Sequence, residues 1–340
     1  TTVTVPEKIG KYLVTAIGNK AFAGTYTAEK IRMRQHSEIV KIILPDTLQY
    51  IGSSAFYCML ALEEINIPEG VTEIARYAFA HCKALKNVII PMGVREIGEY
   101  AFWCCVSLKS VTIPDTVEKI GRDIFAICAK LEEVRIDAGV KEIGESTFAC
   151  CDTLKNITIP DTVEKIGEYA FSNCNGLEQV CIGEGVKEID AYAFHNCIAL
   201  KTVTIPGTVE KIGKYAFVNN LQLKEVCIGE GVKEIGESAF QSCRVLKIVT
   251  IPDTVEKIGK YAFADGYALE EVCICGDVMK ISTHAFKSCF NLKDIIIQKS
   301  IPNRILGEIF ECRPKLLVHC PKGSKTEAYC KKKGISVTLL

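Results

Sequence analysis

A phenylalanine returns every 23 residues, eleven times without a gap, from Phe56, Phe79 and Phe102 through to Phe263 and Phe286. A leucine follows each one six residues later, from Leu62 to Leu292. A period of this size marks stacked supersecondary units, none of which can bury its own apolar face; only the stack can. The unit is I-P-x-x-V-x-x-I-G-x-x-A-F-x-x-C-x-x-L-x-x-V-x, as in the stretch from Ile159 to Cys181. The chain is therefore read as a solenoid, and its 48% hydrophobic content supplies a core along the whole stack.

Within one unit the apolar period changes. Leu154, Ile157 and Ile159 end in an alternation that reads as a strand of roughly three to five residues. Pro160 lacks a backbone donor and stops it. Val163 and Ile166 give a second, shorter strand, and Gly167 turns the chain. Glu168 to Cys174, carrying Ala170 and Phe171, reads as a helical or 3₁₀ turn that sets Phe into the core. Successive circuits then stack in parallel, about 4.8 Å apart.

This pattern resembles the BspA-like leucine-rich-repeat family of bacterial and protozoan surface proteins, along nearly the whole chain. The resemblance implies an α/β solenoid: a leucine-rich-repeat right-handed superhelix with a concave parallel β-sheet and short helical or 3₁₀ turns on the other side. It further implies an extracellular or cell-surface address, and protein binding or adhesion in place of catalysis. The family brings no catalytic residues to carry over. A single solenoid over 1–340 is expected, with an atypical N-terminal repeat at 1–44, regular repeats at 45–297, and an atypical repeat and cap at 298–340. Phe22 precedes Phe56 by 34 residues, one period plus eleven, which places an insert at 23–38 carrying Lys30, Arg32, Arg34 and His36. Phe310 comes 24 residues after Phe286. Ser324 and Glu327 spell a capping box, and Gly334 suits the end of a short helix. The run from Pro321 to Tyr329, P-x-G-S-x-x-E-x-Y, is similar to a common ending in the family.

Charge carries a second period, twice the first. After the Val position, one column reads Arg95, Glu118, Lys141, Glu164, Lys187, Glu210, Lys233, Glu256, and the next column has the opposite signs, from Glu96 to Lys257. Stacked rungs then set opposite charges above, below and beside each other, and a slip of one rung would oppose like charges throughout. Lys plus Arg equals Asp plus Glu at 41 each, so the chain has no net attraction for phosphate backbones or anionic membranes. No apolar run is long enough to span a bilayer. The chain opens at Thr1 without a charged-then-apolar leader, as a processed chain or a fragment would.

Eighteen cysteines demand an account. Cys82, Cys105, Cys128, Cys151, Cys174, Cys197, Cys243 and Cys289 share a column three residues after Phe. Met59, Asn220 and Gly266 replace them there, so the slot reads as a buried small filler and not as a metal set. Cys181, Cys227 and Cys273 occupy an outward strand column on alternate rungs, too far apart to bridge. Cys275 stands two beyond Cys273, which reads as too close along one strand for an easy bridge. No C-x-x-C occurs.

A search for chemistry yields little. The histidines (His36, His81, His195, His284 and His319) fall in different columns. Glu63–Glu64 and Glu132–Glu133 are neighbours in exposed slots with no cleft to separate their pKa values. No nucleophile-elbow or metalloprotease motif is present. The chain is read as no enzyme, with no cofactor and no metal. Binding is the reading left, and the outward strand face is its expected place: Thr112, Arg135, Thr158, Gln179, Thr204 and Thr250 are the candidate ligand-binding residues. Arg135 stands out as the hot-spot type in that sheet. Tyr57 and Trp103 form a possible aromatic patch on the turn side, where Tyr169, Tyr192 and Tyr215 also recur. The expected partner is a protein or glycan on a host or neighbouring cell surface, not a nucleic acid. The competing expectation is a structural spacer or stalk with no ligand, favoured by the near-identity of Val111–Gly121, Thr158–Gly167 and Thr204–Gly213.

Overall fold

A computed structural model describes residues 1–24, 38–282, 284–299, 301 and 316–340. Most of the insert at 23–38, Phe310 and Cys312 lie outside the described residues. The expected parallel-strand solenoid is what forms, as two compact units: Thr1–Val163 with Tyr169–Leu177, and Glu164–Glu168 with Glu178–Leu340.

Most rungs of either unit hold one long and one short strand. In the first unit Ser110–Ile113 pairs in parallel with Glu133–Ile136, register Val111 to Val134. In the second, Thr202–Ile205 pairs with Glu225–Ile228, Val203 against Val226. The Val and the final Ile of such strands point inward, while the residues between them face out, as a period of two requires. The second apolar pair of each unit forms a two-residue strand. In the second unit Lys165–Ile166, Glu188–Ile189, Lys211–Ile212, Glu234–Ile235, Lys257–Ile258 and Lys280–Ile281 follow one another as parallel neighbours.

The turn side differs in detail from the expected helical turn. Between the short strand and the Cys slot the backbone makes separate i→i+3 turns, hinged on two non-glycine residues in the left-handed region. In one rung these are Tyr192 and Asn196, both at φ 58°. Amides alternate in destination: Tyr192, Phe194 and Asn196 donate to Lys214, Ala216 and Val218 on the next rung, while His195 donates back to Tyr192. A continuous 3₁₀ helix would turn all these donors inward, so the stacking partner decides the conformation. The glycine after the short strand is likewise set by stacking. Gly98 has no positive φ, but a Cβ there would lie 2.4 Å from the Arg76 amide nitrogen of the rung before.

The core is a ladder of rings. Phe56 and Phe79 stack at 5.0 Å between centroids in the first unit, and Phe217 and Phe240 at 5.2 Å in the second, with planes within 13°. Beside them runs the Cys column, and its role exceeds that of a filler. The Cys82 thiol donates to the Phe56 carbonyl at 3.1 Å, Cys105 to Phe79 at 3.2 Å and Cys174 to Phe148 at 3.1 Å. Asn220, in the same slot, donates to Phe194 at 3.1 Å and to Phe217 at 2.9 Å. Where it holds Cys or Asn, the slot thus places a compact donor beneath the ring stack. Burial pushes Cys82 and Cys243 up to about 12, which keeps them as thiols able to donate.

Outward from the short strands the charge columns pair as their alternation demands. Lys119 meets Glu142 at 3.0 Å in the first unit. In the second, Lys187 meets Glu164 at 2.7 Å, Lys233 meets Glu210 at 2.9 Å and Lys257 meets Glu234 at 2.5 Å. These side chains remain about a third to two thirds exposed, so each pair contributes only about 0.2–1 kcal/mol and acts mainly on register. At the C-terminus Ser324 caps the helix Lys325–Lys333 by accepting from the Glu327 amide, and Gly334 ends it at φ 70°. The Glu327 carboxylate accepts from the Gly323 amide, one residue earlier than in the usual box.

Gly266 leaves the Cys slot empty and opens a void too small for water between Phe240, Phe263, Leu246 and Leu269. Its φ is not left-handed, and a Cβ would sit 3.5 Å from Leu269 Cβ and 3.2 Å from the Phe263 oxygen. Gly266→Cys is expected to raise stability by about 1 kcal/mol, by filling the void, restoring a donor to Phe240 and restricting the unfolded chain. A urea midpoint that stays or falls would contradict this account of the slot. Phe217→Ala, by contrast, is expected to cost about 3–5 kcal/mol in the same titration.

Candidate functional site

All six candidate strand residues lie on the outward face and are exposed. In the first unit Thr112 and Arg135 are register partners on adjacent strands, and Thr158 occupies the same position of its own strand. In the second, Gln179 opens its strand, and Thr204 sits between Cys181 and Cys227. Thr250 pairs with Cys273. Each is positioned by buried residues on both sides, such as Val203 and Ile205 about Thr204, so the presentation is rigid. Arg135 is not a free cation: its Nε donates to Asp137 Oδ1 at 2.8 Å, although the side chain stays 72% exposed.

The same column contains a feature that sequence reasoning passed over. Ile89, one rung before Thr112, is 77% exposed, and Met92 nearby is 55% exposed. The signal was present as an Ile in a slot filled between Asn66 and Cys273 otherwise by Thr, Asn, Arg and Cys. Asn66, in that slot one rung earlier, is occupied structurally: it receives the Leu44 amide at 2.8 Å and donates to the Leu44 carbonyl at 3.1 Å.

On the turn side of the first unit Tyr57 and Trp103 do belong to one aromatic cluster, but His81 joins them. Its ring meets Tyr57 edge-on at 5.6 Å and Trp103 at 4.6 Å. Tyr77 and Tyr100 stack at 4.7 Å alongside, and Tyr100 meets Trp103 edge-on at 6.2 Å. Arg76 lies 4.9 Å over Tyr77 and reaches Glu99 at 3.5 Å. These rings are half-buried, a mixture of Trp, Tyr and Arg of the kind that dominates interface energetics. In the second unit Tyr192 and Tyr215 stack at 4.7 Å.

Groups of the kinds that serve chemistry are tied up singly. Glu63 faces Lys86 at 2.5 Å and Glu64 faces Lys41 at 2.8 Å, so the adjacent carboxylates diverge to separate lysines. The hydrogen bond from Lys41 holds Glu64 below the usual carboxylate range. His319 contacts Asp294 at 2.9 Å, while burial pushes His195 down. His36 lies outside the described residues. An open groove on the short-strand side of the first unit, lined by Arg95, Glu96, Lys119, Arg122, Glu142 and Glu145, is filled with mutual ion pairs, including Arg122 to Glu145 at 3.2 Å. Among the described residues no cluster of three His, Cys, Asp or Glu could hold a metal, and no helix is long and apolar enough to cross a membrane.

The sequence profile of the BspA type leucine-rich-repeat region, six copies long, matches residues 1–132, 95–224 and 187–316. The chain belongs to the BspA-type leucine-rich-repeat family. Its solved relatives agree. A leucine-rich repeat protein from Bacteroides ovatus is 27% identical, with 94% of this chain and 92% of that one covered and a TM-score of 0.60. A leucine-rich cell surface protein from Faecalibacterium prausnitzii is 28% identical over 87% of each chain, with a TM-score of 0.51. The pneumococcal vaccine antigen PcpA, 19% identical over 100% of this chain and 89% of that one, shares the fold at a TM-score of 0.57. No curated protein matches. For this BspA-type chain the comparisons thus establish a repeat scaffold of a kind found on bacterial surfaces.

Trp103 is the only tryptophan, which makes the aromatic cluster readable in solution. Burial, and then the Lys83 charge, push His81 below its ordinary 6.5, so the ring in contact with Trp103 is neutral at pH 7. The unfolded chain takes up that proton at higher pH than the folded one. The contribution to stability is therefore present above about pH 6.5 and is lost as pH falls through the depressed value. Trp103 emission is expected to drop with a midpoint below pH 6.5 as the imidazolium forms, and His81→Gln is expected to abolish the step. A step that survives in His81→Gln would assign the titration to another group.

Proposed function

We propose that this BspA-type chain is a non-catalytic recognition module, secreted or displayed at a cell surface, that binds a protein or glycan of a host or neighbouring cell. The outward face of the long strands is the binding surface, with Thr112, Arg135 and Thr158 in the first unit and Gln179, Thr204 and Thr250 in the second. The observation that carries this reading is the contrast between the two outward faces. Short-strand side chains spend their charges on one another, whereas the long-strand face offers exposed hydroxyl, amide and guanidinium groups on a rigid backbone, with Ile89 as an apolar contact. Groups held in place lose little entropy on binding. Support also comes from the kinship with bacterial surface proteins. The cluster around Tyr57 and Trp103 is a further contact surface within the first unit.

A spacer is the second reading. It is favoured by the register-setting ion pairs and by near-identical repeats, since separate selection for ligands should diversify exposed slots. The two readings part on one experiment. Labelled protein is offered to arrays of extracellular matrix proteins, epithelial surface proteins and glycans at two salt concentrations. Recognition predicts a saturable partner whose binding falls at least about tenfold with Thr158→Arg or Thr204→Arg, as expected when an unpaired charge is forced into a contact. Binding indifferent to both substitutions, or no saturable partner at micromolar protein, sides with the spacer.

A further inference from the structure

Two thiols on the outward face of the second unit stand in a relationship that the repeat does not impose on other cysteines. Cys273 is the third residue of the strand Glu271–Ile274, and Cys275 follows its last residue. Their sulfurs are 3.7 Å apart. Both thiols are half-buried, whereas Cys181 and Cys227, which share the column of Cys273, are exposed and face Thr204 across the ladder.

The closeness has a structural cause. In an extended strand, side chains two residues apart run side by side, with Cα atoms about 6.6 Å apart. That separation lies inside the span of about 4.4–6.8 Å over which disulfides form, near its upper limit. At this strand end the side chains converge. The same two positions six rungs earlier hold Arg135 and Asp137, and there too the side chains meet, at 2.8 Å. In both rungs the second residue keeps its amide in the ladder: Asp137 donates to Ile113 at 2.9 Å and Cys275 to Ile251 at 3.0 Å. In these two rungs the strand end thus brings the side chains of the pair together. Most other rungs place Pro or Gly at the second position (Pro160, Gly183, Pro206, Gly229 and Pro252), which leaves no such pair. This contact runs counter to the expectation that Cys275 stands too close to Cys273 for an easy bridge.

We propose that Cys273 and Cys275 form a dithiol site that exchanges with small disulfides and closes reversibly into an intrachain disulfide. In the first step the Cys275 thiol gives its proton to solvent and attacks one sulfur of a disulfide RSSR. The RS–SR bond breaks, a Cys275–SR bond forms and one RS⁻ leaves. In the second step Cys273 gives up its proton and attacks the Cys275 sulfur, expelling the second RS⁻. Both RS⁻ are reprotonated. Two protein thiols are oxidised by two electrons and one RSSR is reduced to two RSH.

The order of attack follows from the surroundings. Burial, the S–H···S contact with Cys275 and the Glu271 carboxylate hold Cys273 as a thiol, pushed up to about 11, which suits it to the second step. The Gln298 amide approaches the Cys273 sulfur at 3.7 Å from the next rung and tempers the shift, and Lys299 is held to Asp253 at 3.7 Å. The core column cannot compete, because those thiols are buried and donate to carbonyls.

The test uses the folded full-length chain and oxidised glutathione. After incubation the protein is quenched in acid, alkylated and digested with trypsin. Cleavage at Lys260 and Lys280 releases Tyr261–Lys280, whose only cysteines are these two. The expected result is a peptide two hydrogens lighter and closed to alkylation, restored by dithiothreitol. It should outnumber its glutathione adduct at least about tenfold at millimolar glutathione, because the partner thiol acts at a higher effective concentration. Cys181 and Cys227 should carry glutathione instead. Cys273→Ser should trap the adduct on Cys275, while leaving the far-UV spectrum unchanged. The proposal is overturned if both thiols stay open to alkylation while Cys181 and Cys227 react, or if the wild-type peptide accumulates the adduct without closing.

Discussion

The hydrogen bond from one rung to the next is the interaction on which the rest of this protein depends. It sets the parallel register of both strands and, on the turn side, draws alternate amides out of their own turn towards the neighbour. Non-glycine residues such as Tyr192 and Asn196 are thereby held in left-handed backbone, at about 1–3 kcal/mol each when unsupported. No isolated rung could sustain that. The cost is offset where three amides per turn find carbonyls above them and a Phe ring stacks on its neighbour. Stability in such an array is a matter of nearest neighbours, so a defect in one rung is felt chiefly by the two beside it.

A donor in the core explains a composition that otherwise sends a confusing message. Eighteen cysteines suggest either a disulfide scaffold or a reducing compartment. Most of the thiols in the Phe-linked column are neither bridged nor idle: they donate to carbonyls under the ring stack. A serine would supply the donor with a costlier desolvation, and an alanine would leave the space and the carbonyl unserved. Asn220 meets the same demand with two donations and leaves its own oxygen unpartnered in return. Burial holds Cys82 and Cys243 as thiols, so these members of the column keep the proton that they donate.

The period, the strands, the inward Leu, Val, Ile and Phe columns and the pairing of charges were all legible, because each repeats and repetition is a signal in itself. The helical or 3₁₀ turn expected over Glu168–Cys174 takes the form of separate i→i+3 turns for a physical reason. Left-handed backbone is usually announced by glycine, and in this stretch Tyr169 and Asn173 stand in those places, held by the neighbouring rung. The aromatic patch was read from Tyr57 and Trp103 alone, since they share a column. His81 belongs to another column and reaches between them only once the turns are folded. Arg135 was legible as an exposed cation, but its tie to Asp137 depends on how the strand ends, which one-dimensional spacing does not encode.

Under the recognition reading, binding needs a face whose side chains are free to differ from rung to rung. The short-strand columns are poorly suited to it, since changing one charge there exposes an unpaired neighbour on the adjacent rung and disturbs register. Long-strand outward slots carry no such obligation. The backbone ladder sets their spacing, and the side chains point away from the core, so Thr and Arg, or Thr and Cys, stand as register partners on adjacent strands. The departures at Ile89, Arg135 and Cys273–Cys275 all fall on this face. The freedom that lets those side chains vary is what allows the face to acquire a ligand.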